Sequence, residues 1–286
     1  MARVLVIAHL NHDRIWELDG ALKSGSRVSW GKRETRLGGG GYFTGSPFLA
    51  LGHEVALVSS LGNDALGKTA RSELSELGFD MQHVCKRDSG THITDILLEP
   101  SGERTILTPS QGPMRLFRLD GNVKADAAYI NCFNPDATIL KALDSIGLVA
   151  SQFPLSETSV PRPADLMIGS KGDFPELDDN ALWHKAQHFC GSRLKHLVMT
   201  DGARAITIHD GEQIRNVTPM IRAVVKNTIG AGDHFSANLV SALLAGAAIE
   251  DAARNASKAT ADWLEQRDQE KYYSISSKSA KRFCVG

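Results

Sequence analysis

Apolar residues in this chain fall into short runs separated by stretches with helical spacing. Arg3 to Ala8, through Val4, Leu5, Val6 and Ile7, reads as a buried first strand. Runs at 54–61, 127–132, 148–152, 166–168, 197–200 and 205–209 repeat that character. Between them, a helix through Phe43, Pro47, Phe48 and Leu51 is closed by Gly52, and further helices are predicted at 69–77, 136–146 and 176–191. Ile221 to Val225 reads as a late strand, followed by an amphipathic helix with Phe235, Leu239 and Leu243 four apart and Val240 and Leu244 beside them. Strands separated by helices predict an α/β fold, a doubly wound and mostly parallel sheet with helices on its faces.

Two stretches depart from that rhythm. Residues 14–37 read as short strands (15–18, 27–30 and 33–37) punctuated by Gly20, Gly25 and Gly31, with too few apolar residues for a core of their own. A flap lying over a site is the natural use of such a piece. Its Arg27, Lys32, Arg33 and Arg36 either meet an anionic group or form a solvated basic face. Residues 91–99 and 103–108 alternate around Pro100-Ser101-Gly102 and predict a hairpin. After Trp263 the chain is polar from 265 to 282, a frayed end or a capping strand. No internal repeat divides the sequence, and 286 residues suffice for one α/β domain or two small ones.

Composition narrows the class without naming a chemistry. With 42% apolar and 23% charged residues and a net charge of −1, the chain lacks the basic surplus of a nucleic-acid binder. No apolar run reaches the length of a membrane span, and Val4 to Ala8 is too short for a signal peptide. Cys85, Cys132, Cys190 and Cys284 are scattered without metal spacing, as expected of reduced, mostly buried thiols in a cytoplasmic protein.

The chemistry concentrates at Asn227-Thr228-Ile229-Gly230-Ala231-Gly232-Asp233-His234-Phe235. Two glycines around a small alanine let the backbone approach a ligand closely. The unpaired N–H groups of the following helical turn favour an anion. Those dipoles also hold Asp233, in the same turn, ionised. An anion cradle with a base beside it suits phosphoryl transfer to a hydroxyl; an ordinary glycine turn capped by Asp is the plainer alternative. Asp13, just past the first strand, is placed either to bind polar hydroxyls or to sit in a solvated loop. Gly38-Gly39-Gly40-Gly41 fits a place where a ligand presses on the backbone, or a hinge. Gly62-Asn63-Asp64-Ala65-Leu66-Gly67-Lys68-Thr69 satisfies the phosphate-loop pattern GxxxxGK followed by Ser or Thr. Against it stand Asp64, a carboxylate inside a loop meant to wrap phosphates, and the lack of a later strand ending in a metal-binding Asp.

The ordered set of these motifs resembles the ribokinase-like (PfkB) carbohydrate kinases over roughly residues 3–262. The set comprises Asn11-His12-Asp13, the glycine pair before a helix ending Leu51-Gly52, Val58 to Gly67, Gly90-Thr91 with Gly102-Glu103-Arg104, Val198 to Gly202, and Thr228 to Phe235. The resemblance implies an ATP-dependent, Mg²⁺-assisted kinase acting on a small sugar, sugar-like compound or nucleoside, with Asp233 as base and the backbone of Gly230, Ala231 and Gly232 as anion hole. Asn11, Asp13, Gly38, Gly39 and Phe43 would line the acceptor pocket. Thr200, Gly202, Arg204, Thr228 and Ser257 would meet the nucleotide. The chain, 1–286, would be a single kinase domain in which segments 14–37 and 91–108 form a β lid, through which a homodimer is left open.

The departures from the family pattern are specific. Phe43 replaces a common Asn, giving an apolar face that suits a deoxy or aromatic portion of the acceptor or only fills space. Ser170-Lys171-Gly172-Asp173 stands for an N-x-x-E element, leaving Asp173 to hold a metal-bound water. Asn227 replaces an Asp, which weakens the case for a bound monovalent cation. Ser257 replaces an Asn, and Ala205 a glycine of the nucleotide loop. A catalytically weakened sugar- or nucleotide-binding sensor is the alternative these changes raise.

Overall fold

Side-chain alternation on β1 (Arg3–Ala8) sets the architecture: Val4, Val6 and Ala8 face one apolar cluster, Leu5 and Ile7 the other. The computed structural model describes residues 1–108, 117–119, 121, 123–155, 161–219 and 227–269. Along the chain follow β2 (Asn11–Leu18), β3 (Trp30–Gly38), α1 (Gly40–Ala50), β4 (Glu54–Gly62), α2 (Ala65–Glu76), β5 (Asp80–Arg87), β6 (Ile93–Leu98) and β7 (Arg104–Leu107). The second half holds β8 (Ala127–Asn131), α3 (Ala137–Leu143), β9 (Leu148–Gln152), β10 (Leu166–Ser170), α4 (Asp179–Cys190), β11 (His196–Thr200), β12 (Ile206–His209), β13 (Ile214–Val217), α5 (Ala231–Leu244) and α6 (Ile249–Gln269).

A nine-stranded sheet runs β13-β12-β11-β10-β9-β8-β1-β4-β5, parallel except for the β11-β12-β13 edge. Residues of α1, α2, α5 and α6 bury one face in the first cluster, and residues of α3 and α4 bury the other. Each large apolar side chain so buried is worth about 1.5–3 kcal/mol. A separate four-stranded sheet, β3-β2-β6-β7, pairs β2 with β6 in parallel and its other neighbours antiparallel. Among the described residues no helix is long and apolar enough to cross a membrane. Cys85, Cys132 and Cys190 are free thiols, the last two buried.

The expected α/β fold is present, with differences that have physical causes. Asn11 to Asp13 does not dangle past β1: it opens β2, where Asn11 pairs Gly38 and Asp13 pairs Arg36. The three short strands expected in 14–37 are two long ones, because cross-strand pairing tolerates the polar outer positions. β5 and β13, too polar on one face to read as strands, form as neighbours of better ones. Of the polar tail expected from 265, residues up to Gln269 continue α6, while 270–282 and the strand expected at 221–225 lie outside the described residues.

The 62–69 octet is explained by Asp64. Its carboxylate accepts from the Gly67 N–H at the start of α2 (2.8 Å), from the Thr91 N–H (2.8 Å) and from the Thr91 hydroxyl (2.6 Å). The helix therefore starts at Ala65, four residues before the apolar spacing predicts. A Cβ at Gly67 would lie 2.0 Å from the Gly62 carbonyl, so the loop is closed on itself and tied to the base of the small sheet. The carboxylate occupies the Gly67 amide, one of those a phosphate loop would offer its ligand. Those donors, the Thr91 hydroxyl first, hold its pKa down to about 2. A depressed folded-state pKa stabilises above the ordinary carboxylate range, and that contribution is lost as pH falls toward about 2. Asp64→Ala is expected to lower stability by about 2 kcal/mol in urea melts at neutral pH, whereas Lys68→Ala leaves ATP affinity unchanged. A tenfold loss of ATP affinity in the lysine variant would restore the phosphate-loop reading.

Candidate active site

The bend before α5 is built by three local devices. Asn227, buried, accepts the Ile229 N–H on its side-chain oxygen (2.9 Å), an Asx turn that aims the chain into the helix. Gly230 takes a left-handed conformation (φ 80°, ψ 0°), where a Cβ would meet the Phe43 ring at 2.7 Å. Ala231 donates its N–H to the Thr228 carbonyl (3.1 Å), closing the turn. The Gly230 and Gly232 N–H groups have no acceptor among the described residues, and a Cβ at Gly232 would meet nothing within 4 Å. Of the three amides expected to cradle an anion, the first and third are therefore the open ones.

Asp233, in the first turn of α5, accepts from the Thr44 hydroxyl on α1 (2.8 Å) and from Asn131 at the end of β8. Tyr129, fully buried below them, shares this network through Thr44 and Ser236 and donates to Gln152 (2.9 Å). Asp233 is half-buried as a residue, yet its carboxyl lies among protein atoms, and that surrounding sets its charge. Burial pushes its pKa up to about 6, against the lowering by Thr44, Asn131 and Arg104. The helical dipoles, expected to hold it ionised, do not keep its pKa low, because desolvation outweighs them. At neutral pH a carboxyl near 6 is ionised and well matched to accept a proton.

Beside it the small sheet brings a second acid. Asp13 is buried, accepts from Asn11 Nδ2 (2.7 Å), and is pushed up to about 6, mainly by burial and further by the Asp233 charge. Asn11 Nδ2 also reaches the Thr94 hydroxyl on β6 (3.2 Å). Gly38 and Gly39 serve this arrangement directly. A Cβ at Gly38 would stand 2.2 Å from the Asp13 carboxyl carbon, and one at Gly39 (φ 86°) 2.4 Å from the His9 carbonyl. Phe43 is half-buried and lies against Gly230, with Ile15, Ile96 and Leu98 of the small sheet and Ile229 of the bend in one cluster. Its ring is thus engaged in holding the sheet against the bend.

Thr200, Gly202, Arg204 and Asp173 sit at or just past the carboxyl ends of β10 and β11, where α/β proteins place ligands. Thr200 ends β11 and donates to the Gly169 carbonyl (3.2 Å). Gly202 is left-handed (φ 56°), Arg204 is exposed in a two-bonded pair with Asp201 (2.6 Å each), and Ser257 is buried on α6. Asp173, exposed in a single 3-10 turn after β10, has its carboxyl pushed up by partial desolvation and drawn down by Arg104. Of the basic residues at 27–36, Lys32 pairs with Glu34 (3.0 Å), Arg33 lies over Trp16 (5.3 Å), and Arg36 stands near Glu34 (3.8 Å) and Asp13.

Thr44, Asn131, Tyr129 and Arg104 escaped the sequence reading as site residues. Asn131 carried the one usable signal, a polar side chain at the end of a buried strand. Arg104, on β7, donates to the Thr228 hydroxyl, and its charge acts on both Asp233 and Asp173. Nothing in the hairpin sequence shows that it reaches across to the bend.

The model of the pfkB family of carbohydrate kinases matches residues 164–267. A ribokinase of Lactococcus lactis is 24% identical over 267 residues, covering 89% of this chain and 88% of its own. Among solved structures, a microbiome-derived acarbose kinase superposes with a TM-score of 0.73 at 16% identity, covering 98% of both chains. A nucleoside kinase of Burkholderia thailandensis, solved with inosine, gives 0.70 at 14%, covering 98% of this chain and 96% of its own. At those identities the structural likenesses establish the fold. The family match over residues 164–267 and the full-length sequence relative support a ribokinase-like kinase of the pfkB carbohydrate kinase type, a phosphotransferase with an alcohol group as acceptor.

Proposed function

We propose that the chain transfers the γ-phosphoryl group of ATP to a hydroxyl of a small sugar, Asp233 taking the hydroxyl proton. The observation that carries this reading is the buried Asp233 carboxyl, held by Thr44 and Asn131 beside the open amides of Gly230 and Gly232. Asp13, fixed by Asn11, binds and orients the acceptor's hydroxyls so that one faces Asp233. The Gly230 and Gly232 N–H groups, with Arg104 beside them, balance the charge that spreads over the moving phosphoryl group, where fixed donors contribute most. Thr200, Gly202, Thr228 and Ser257 line the nucleotide's side of the cleft. Arg204 reaches phosphates only by leaving Asp201. The small sheet, with segments 14–37 and 91–108 as its lid, excludes water from the transfer.

Among the described residues no group of three or more His, Cys, Asp or Glu side chains gathers to hold a metal. A lone Asp173 at the rim suits Mg²⁺, which keeps waters and phosphate oxygens as its other ligands. When bound, the ion supplies neutralising charge to the phosphates. The engagement of Phe43 with Gly230 and the lid favours a sugar over a nucleoside stacked on that ring. The test is ADP release with ATP and Mg²⁺ over sugars, sugar phosphates, sugar acids and nucleosides. Turnover with a sugar supports the reading; ligand binding by calorimetry without ADP release with any acceptor would make the protein a sensor.

Trp30 on β3 and Ile106 and Leu107 on β7, about half exposed, place apolar surface on both edges of the lid. We infer pairing of two chains there, expected as a dimer mass by light scattering that Ile106→Glu reduces to a monomer; a wild-type monomer would refute it.

A further inference from the structure

The guanidinium of Arg267, on α6, donates Nη1 to the Ile229 carbonyl (2.6 Å) and Nη2 to the Asn227 carbonyl. These carbonyls belong to the bend that carries the anion-binding amides. The described chain has no cis peptide, so in each peptide unit the N–H points opposite to the C=O. The unit whose carbonyl is Ile229 carries the Gly230 N–H, and the unit whose carbonyl is Asn227 carries the Thr228 N–H. With both carbonyls anchored to one cation behind the bend, both N–H groups are turned to the opposite side. The Asx bond from Ile229 N–H to Asn227 fixes the peptide between them (2.9 Å). Arg267 itself is held in place, its guanidinium lying over the Trp263 ring (4.3 Å), which stacks on His234 next to the catalytic acid (4.6 Å, 12°).

We propose that Arg267 is a positioning residue for phosphoryl transfer, a tethered cation that orients and polarises the bend from behind so that the Gly230 and Thr228 amides meet the phosphoryl group. A positive charge bound to a carbonyl draws electron density from the linked N–H and strengthens it as a donor. Because the guanidinium supplies that charge covalently, turnover needs no particular monovalent cation. This inference rests on the kinase reading above.

The test compares wild type, Arg267→Ala and Arg267→Lys, each checked by thermal melt, in potassium and in tetramethylammonium chloride, with the acceptor that the screen identifies. Wild-type kcat is expected to be the same in both salts. Arg267→Ala is expected to lose kcat about 30- to 100-fold with acceptor KM within twofold. Added guanidinium at tens of millimolar restores part of the loss, equal sodium chloride restores none, and Arg267→Lys falls in between. A folded alanine variant with unchanged kcat, a loss that neither guanidinium nor lysine relieves, or a wild type that requires potassium overturns the proposal. A second readout is affinity for ADP and for a non-hydrolysable ATP analogue, measured by calorimetry. The alanine variant is expected to weaken the analogue about tenfold and ADP by less than twofold; equal effects on both overturn it. If wild type turns over no acceptor, the kinase reading fails and this second readout still decides the role of Arg267.

Discussion

Asp233→Asn is expected to lower kcat about 10³- to 10⁴-fold while ATP affinity, measured by calorimetry, changes less than about threefold. Asparagine keeps the shape and can still accept from Thr44, but it cannot take a proton. The pH profile carries the same signature. With Asp233 raised to about 6 by burial, kcat/KM of the wild type should fall as pH drops through about 6. Asp13, raised to about 6 and partly by the Asp233 charge, titrates with it, so the acid limb belongs to the pair. The stability consequence has the opposite sense. A carboxyl whose folded pKa lies above its unfolded value contributes stability below about pH 4, lost as pH rises through about 6. At pH 8 the wild type therefore holds a desolvated charge that the asparagine variant lacks. The variant should melt higher there by ~2–5 °C and equally at pH 4. Full activity in the variant would remove Asp233 from the chemistry; an equal melting difference at both pH values would remove the desolvated charge.

Arg104→Gln should be the next most damaging change, lowering kcat about 10²- to 10³-fold with acceptor KM within about twofold. Arg104 links the small sheet to the bend through Thr228, and its charge lowers the pKa of Asp233 and Asp173. Glutamine retains a donor for Thr228 and loses the charge, so the acid limb should also move to higher pH as Asp233 becomes harder to ionise. Arg104→Lys keeps the charge without the fork and should recover only part of the rate. An unchanged rate and pH limb in the glutamine variant would make Arg104 only a tie between the small sheet and the bend.

The fold class, the glycine bend and its acid were legible in the chain because each depends on neighbours in sequence: apolar periodicity, a left-handed glycine, a carboxylate in a first helical turn. Asp64 was legible in part, since a carboxylate within the octet argues against phosphate binding, but its bonds to Thr91 cross the fold. Asn11 and Asp13 were found by motif and misplaced by one element. A strand as polar as β2 is stabilised by its partners β3 and β6, which no local pattern reports.

The sequence by itself determined where backbone can approach a ligand and which acids can accompany it, since glycine conformational freedom and helix-terminal dipoles are local properties. Only the tertiary structure decided the strength of those acids and the groups that hold them. Desolvation and long-range hydrogen bonds depend on Thr44, Asn131, Arg104 and Arg267, residues brought from four separate elements to one bend.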